Sequence, residues 1–287
     1  MSKLLFLLFC AISVISVISV ISVVETKNII TLKDSNFVSL RGPVTDESIS
    51  KLILQLLDKT SSLDDNNIYI YINSPGGSVD AGMRLVTYIK SLQEQDIIVN
   101  CVAENAMSMG FVIFQYCDNR LITKYATLMQ HQMSLGNIKG KIKEINSYIE
   151  YINSMEDKIN EDQAKRIGMD INEFNNKINN DWWLYSTDIV DNKVADKIVS
   201  IKCNFRNYHE TITINSIFGE INIIYSRCPI ISSPIKITFP TINTDDNLDK
   251  EDYKIMMASF NNNLEIYKKP HYFDRLIEII PGRINFF

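Results

Sequence analysis

Hydrophobic and polar positions alternate along this chain on two different periods. Short apolar runs at Ile29–Leu32 and Phe37–Leu40 read as strands. Ile49, Leu52, Ile53, Leu56 and Leu57 then recur at helical spacing, giving one buried face. Thr45 caps that helix, and Asp46 and Glu47 in its first turn complement the dipole. Asp64-Asp65-Asn66-Asn67 breaks the chain before a strand at Ile68–Ile72, and Pro75-Gly76-Gly77 leads into a second helix over Val79–Leu92. A strand at Ile97–Val102 runs on to Ser108, and Phe111–Tyr116 continues as an apolar helix. Strand and helix take turns, so the pattern predicts the α/β class, with a mainly parallel sheet and crossover helices.

From Ile138 the period changes. Ile138, Ile142, Ile145, Ile149, Ile152, Met155 and Ile159 make a narrow apolar seam on one long amphipathic helix. Such a seam either lies across its own domain or meets a copy of itself, and its length favours the copy. Asp170 and Glu173 read as a capping box for a following helix. Beyond Cys203, strands at Thr211–Asn215, Ile221–Tyr225 and Ile235–Phe239 are punctuated by Pro229, Pro234 and Pro240. Asn243–Asp252 reads as a polar, acidic loop. The organisation is a leader (1–25), a head (28–202) and a β-rich C-terminal extension (203–287) that carries no motif.

The leader changes the picture of where the chain resides. Lys3 precedes an uncharged stretch from Leu4 to Val24, close to the ~20 residues that span a bilayer and longer than a signal-peptide core. Four Ile-Ser-Val repeats dilute its hydrophobicity with Ser13, Ser16, Ser19 and Ser22. A cleaved signal peptide and a membrane anchor through residues 4–24 are both readings of this segment, and a buried core segment is a third. Location follows the choice: secretory or membrane-associated, or else cytoplasmic or organellar. A net charge of −5 and the absence of a basic run argue against nucleic acid. The five cysteines (Cys10, Cys101, Cys117, Cys203, Cys228) form no CxxC pair, so buried free thiols are expected rather than a metal cage or disulfide framework.

Acyl transfer to a serine needs a nucleophile, a base, an orienter for that base and donors for the oxyanion. Three histidines narrow the search for the base. His209 and His271 lie in the extension, whereas His131 follows the short run Thr127–Gln130, which delivers it to the rim of the sheet. Ser108 falls at a strand-to-helix turn, where the Met109 amide is among the unpaired donors of a helix start. Gly76 and Gly77 end another strand, and without a Cβ they let a second amide come close.

The run Tyr69-Ile70-Tyr71-Ile72-Asn73-Ser74-Pro75-Gly76-Gly77-Ser78-Val79-Asp80-Ala81-Gly82-Met83 resembles the signature of the Clp protease proteolytic subunit (ClpP) family. Ala106–Gly110 is similar to that family's nucleophile segment, and Met129-Gln130-His131-Gln132 to its histidine segment. Leu40-Arg41-Gly42-Pro43-Val44 resembles the segment that precedes its first helix. The resemblance covers about residues 28–200. It implies the ClpP/crotonase-like repeated β-β-α superhelix with a long handle helix. It also implies Ser108 as nucleophile, His131 as base, Asp181 of Asp181-Trp182-Trp183-Leu184 as orienter, and the amides of Gly76 and Met109 as oxyanion hole. Asp188 and Asp191 compete with Asp181. Family members stack heptameric rings into a chamber for unfolded polypeptides, with the handle at the Ile138–Ile159 seam and Gly136 and Gly140 permitting the extended backbone of the substrate path. A partner AAA+ ATPase uses the ATP; this chain has no Walker A pattern, and no cofactor or metal is expected in it. Met133 stands where the family usually has proline, and Asp191-Asn192-Lys193 lacks the glycine that commonly ends the following helix.

Three other readings remain open. The leader suits a membrane-associated signal-peptide-peptidase-like enzyme with a Ser–Lys dyad, although His131 does not. A non-catalytic ring subunit would have no chemical need for the intact Ser, His and Asp. A crotonase-type enzyme acting on acyl-thioesters would not require this order of Ser and His.

Overall fold

Alternation in β3 (Asn67–Ser74) sorts the sheet into two faces. Ile68, Ile70 and Ile72 point into the main core, and Tyr69 and Tyr71 line a second, smaller one. The structure, a computed structural model, describes residues 28–63, 65–136, 138–216, 219–231 and 234–238. Around β3 the head runs β1 (Ile29–Lys33), β2 (Phe37–Arg41), α1 (Asp46–Thr60), then β3, α2 (Val79–Gln93), β4 (Ile98–Met107) and α3 (Met109–Gln115). It continues with β5 (Asn119–Gln130), α4 (Ile142–Ile167), α5 (Ile171–Ile178), β6 (Trp182–Tyr185), α6 (Thr187–Asp191) and β7 (Lys197–Asn204). The seven-stranded sheet has the order β1-β7-β5-β4-β3-β2, all parallel, with β6 antiparallel beside β5. The mixed α/β class with a mostly parallel sheet is therefore as the pattern predicts.

Several boundaries differ, each for a physical reason. Thr45 caps α1 through a reciprocal bond pair with Ser48. Only Ile49, Leu52 and Leu56 are buried, and Leu57 is half exposed, because α1 lies at the β2 edge where one stripe finds a partner. The long helix starts at Ile142 rather than Ile138, and its seam divides. Ile152, Ile159, Ala164 and Ile167 are buried on the head, while Ile142, Tyr148 and Tyr151 in the first turns are exposed. Asp170 caps α5 by accepting from the amides of Asn172 and Glu173.

The extension forms a separate antiparallel sheet, with β8 (His209–Ser216), β9 (Gly219–Ser226) and β10 (Lys236–Thr238) in the order β10-β9-β8. It is tied back to the head by Arg227 on Asp34 (2.8 Å) and by the Phe205 ring against Phe37. A disulfide between Cys203 and Cys228 is the third tie, and Cys101 pairs with Cys117. Both correct the expectation of free thiols. Spacing along the chain carries no sign of these pairs because the fold, not the sequence, brings each to a Cα separation under 6 Å (5.8 and 5.7 Å). The leader, Cys10, Pro240, the Asn243–Asp252 segment and His271 lie outside the described residues. Among those described, no helix is long and apolar enough to cross a membrane.

An ion pair with one buried and one partly exposed member locks β5 to the start of β7. Arg120, only 5% exposed, donates to Asp196 at 2.7 Å and to Gln115 at 2.8 Å, and its backbone N–H also reaches Asp196. Burial pushes the Asp196 carboxyl up, but the hydrogen bonds and charge of Arg120, with Arg166 beyond, hold it below its ordinary value. A depressed folded value contributes stability that is present above the unfolded pKa of about 4 and is lost as pH falls through the folded one. Asp196→Asn is expected to cost ~2–3 kcal/mol at pH 7, less than for a fully dry pair, and to flatten the acid limb of stability. Urea unfolding of both proteins at pH 7 and pH 3 checks this. Cys228→Ser is expected to leave the head's cooperative unfolding intact while speeding tryptic cleavage at Arg206 and Arg227. Equal cleavage rates in the two proteins would show that the disulfide does not anchor the extension.

Candidate active site

Ser108 occupies the single residue between β4 and α3, with φ 52° and ψ −121°. A non-glycine residue at positive φ is strained, and such strain persists only where neighbours over-determine it. Here the Ser108 amide donates to the Met129 carbonyl on β5 (2.8 Å), and the Ser108 carbonyl accepts from Val112 (3.1 Å). The side chain makes no cap bond to its own helix. Its Oγ lies instead 2.9 Å from His131 Nε2.

Gly76 closes the other side of this turn at φ 92°. A Cβ there would lie 2.6 Å from Ser108 Cβ and 2.9 Å from the Met109 nitrogen, so only glycine lets the two backbones touch. Met109 sits at the first position of α3, and among the described residues its amide has no backbone acceptor. The Gly76 amide, however, donates to Ser74 Oγ (3.2 Å). Among the described residues no acceptor takes the next amide, that of Gly77. The sequence marked the turn but did not show which of its two amides is free.

The sheet brings His131 to Ser108, and β6 brings Asp181 to the same rim. Antiparallel pairing runs from Thr127 opposite Tyr185 to Gln130 opposite Trp182, where it ends, so Asp181 and His131 are the residues just beyond the last pair. Asp181 has φ 49°, which turns the backbone off the ladder, and it is solvent-exposed. No hydrogen bond joins its carboxylate to the imidazole. Asp188 and Asp191 are exposed on α6 and make no side-chain contact with His131 either. Ser108 and His131 are thus in contact, Met109 and the Gly76–Gly77 turn abut them, and Asp181 stands one residue past the end of the β5–β6 pairing without bonding the imidazole.

Sequence reasoning missed the shell that holds His131. Gln130 (4% exposed) donates to Gln163 of α4 at 3.0 Å, and Gln163 in turn donates to the Ile159 carbonyl. The Gln130 Oε1 is buried without a hydrogen-bond partner. Gln132 donates to Asn179 at the end of α5 (2.7 Å), and the Met133 amide donates to Glu156 of α4 (2.7 Å). The one signal was the unusual run of amide side chains around the histidine. Among the described residues, no group of three or more His, Cys, Asp or Glu is placed to hold a metal ion.

Beneath the site, Ala103 faces Ile122 on β5 but Asn105 faces Thr127, so four β5 residues stand opposite Glu104 alone. The irregularity is pinned by Tyr71 Oη (2.6 Å) and Asn73 Nδ2 (2.9 Å), both donating to Glu104. Burial, then the bond and charge of Glu104, push the Tyr71 phenol above its usual range, so it stays protonated and donates.

Gly76→Ala is expected to fold but to slow labelling of Ser108 by a fluorophosphonate by at least ~10², since a displaced Met109 amide loses one oxyanion donor. Labelling rate, with circular dichroism as the control for folding, checks it.

Ser108 and His131 meet at the carboxyl ends of the parallel strands β4 and β5. The family model for the Clp protease matches residues 24–202, well over half of the chain, so this chain belongs to the Clp protease family of serine peptidases.

Proposed function

We propose that the chain is a serine endopeptidase that cleaves unfolded polypeptides through a Ser108 acyl-enzyme. The observation that carries this is the 2.9 Å approach of His131 Nε2 to Ser108 Oγ, at a turn whose strain aims the hydroxyl outward. His131 takes the Ser108 proton as Oγ attacks the carbonyl carbon of the scissile bond, then returns it to the leaving amine. Water, activated by the same imidazole, releases the acyl group. The oxyanion is received by the Met109 amide and by the Gly76–Gly77 turn, where the Gly77 amide has no competing acceptor. Asp181 is the proposed orienter of the imidazole, supported by the end of the β5–β6 pairing at Gln130 and Trp182, which leaves Asp181 and His131 as the next residue on each strand. The partner of Ser108 Oγ is an imidazole and no lysine bonds to it, which favours this reading over a Ser–Lys dyad.

The exposed first half of α4 supports assembly. Ile142 and Ile149 are 77% and 36% exposed and lie seven residues apart on one face of the helix, a surface suited to packing against the same helix of another copy. Stacked heptameric rings enclosing a chamber, fed by an AAA+ ATPase, follow by analogy with the family. Between the chain after His131 and the start of α4 lies a cleft of about 490 Å³ lined by Leu135, Ile138, Ile145 and Tyr148. It suits an extended substrate segment beside Gly136 and Gly140.

Fluorophosphonate labelling tests the chemistry. Wild type is expected to label and Ser108→Ala not at all. His131→Ala should lose ~10³–10⁴ in rate, and Asp181→Asn up to ~10⁴ if it orients the base. Equal labelling of wild type and Ser108→Ala removes the nucleophile assignment, and an unchanged Asp181→Asn removes only the third member. Light scattering should give a mass many times the monomer's, and a clean monomer at micromolar concentration would sink the ring.

A further inference from the structure

The chain between the end of β5 and the start of α4 carries His131 but has almost no backbone support. The ladder stops at Gln130. Among the described residues from His131 to Gly140, the Met133 amide to Glu156 Oε1 is the one backbone hydrogen bond. A carboxylate acceptor makes such a bond roughly twice as strong as a neutral one. Glu156 is half-buried on α4, one turn from the buried Ile152 and Ile159, so the helix body fixes where its carboxylate sits. The side-chain bonds of Gln130 to Gln163 and of Gln132 to Asn179 flank the imidazole, but neither engages a backbone group after His131.

We infer that Glu156 is a positioning residue for His131, acting through the Met133 N–H to hold the imidazole at attack distance from Ser108. The inference rests on the peptidase reading above. A contact of 2.9 Å has little tolerance, and a misplacement of about 1 Å at a reacting group can cost ~10² in rate. Two properties separate this role from ordinary helix packing. The function needs only an acceptor at Oε1, so glutamine should serve and alanine should not. It also needs the Met133 N–H, so removing that donor should make the Glu156 side chain irrelevant.

The experiment compares wild type, Glu156→Ala, Glu156→Gln, Met133→Pro and the double variant Met133→Pro/Glu156→Ala. The first readout is the rate of Ser108 labelling by a fluorophosphonate, with thermal unfolding as the control for folding. Glu156→Ala is expected to label 10- to 100-fold more slowly, Glu156→Gln within about threefold of wild type, and the double variant no more slowly than Met133→Pro. Wild-type labelling by Glu156→Ala, or equal slowing in Glu156→Gln and Glu156→Ala, would overturn the assignment. So would additive losses in the double variant.

The second readout does not depend on activity. His131 is one of three histidines in the chain, so its imidazole ¹H–¹⁵N resonance is identified by its loss in His131→Gln. That resonance should move in Glu156→Ala and return in Glu156→Gln. If wild type fails to label, the peptidase reading fails. The imidazole resonance then still decides whether Glu156 sets the position of His131, and an unmoved resonance in Glu156→Ala refutes it.

Discussion

One backbone hydrogen bond, from the Ser108 amide to the Met129 carbonyl, ties the turn that carries the nucleophile to the strand that carries the base. Its formation depends on the register between β4 and β5. Had the pairing of Ala103 with Ile122 continued without interruption, Met107 would face Ala126 rather than Met129, and His131 would lie several residues beyond reach. The four residues opposite Glu104 absorb that difference. Glu104 itself is held by Tyr71 and Asn73, so hydrogen bonds on the smaller core face set the spacing of the site above. A parallel sheet is often described as a neutral platform for loops at its carboxyl ends. Here an irregularity within the platform decides which residues meet.

The positive φ of Ser108 belongs to the same constraint. Strain at one residue costs on the order of 1–3 kcal/mol and relaxes unless several neighbours oppose it. The Met129 bond opposes it from one side, the bare backbone of Gly76 from another, and the first turn of α3 from the third. Ser186 has nearly the same backbone angles before α6, yet its Oγ donates to the Lys124 carbonyl and has no base beside it. The comparison separates geometry from chemistry. The turn exposes a hydroxyl in both places, and only the neighbour of Ser108 can take its proton.

Much of this was legible in the sequence wherever local rules suffice. Helical spacing found α1, the break at Asp64–Asn67 and the Pro75-Gly76-Gly77 turn marked β3 and α2, and the motif order joined the Ser108 and His131 segments. The missing parts depend on tertiary partners. The first half of β5 mixes Arg120, Lys124 and Tyr125 with apolar residues, because its neighbour changes from β7 to β6 along its length. No period survives that exchange. Lys193 takes φ 59° where a glycine is commonly found, a position legible only as a departure. Ile138 shares the spacing of the α4 seam but precedes the helix, since a period marks apolar positions without marking where a helix is capped. The cysteine pairs and the acceptor of the Met133 amide involve residues tens of positions apart, and no local rule reaches that far.

The division of α4 gives this helix two tasks. At ~1.5 Å per residue its 26 residues span about 39 Å, and roughly the second half, from Ile152 onward, rests on the head. That second half holds Gln163, packed at 0% exposure against the end of β5, and Glu156, which takes the one backbone bond of the segment after His131. The first half presents Ile142, Tyr148 and Tyr151 to solvent. A helix is stiff over this length, so a rotation imposed on the projecting half is carried to the anchored half rather than lost between them. Whatever packs on those exposed side chains therefore acts on the same helix that bonds Gln130 and the Met133 amide on either side of His131. The surface proposed for assembly and the residues proposed to set the base lie on one stiff helix, the exposed side chains toward its start and Glu156 and Gln163 toward its end.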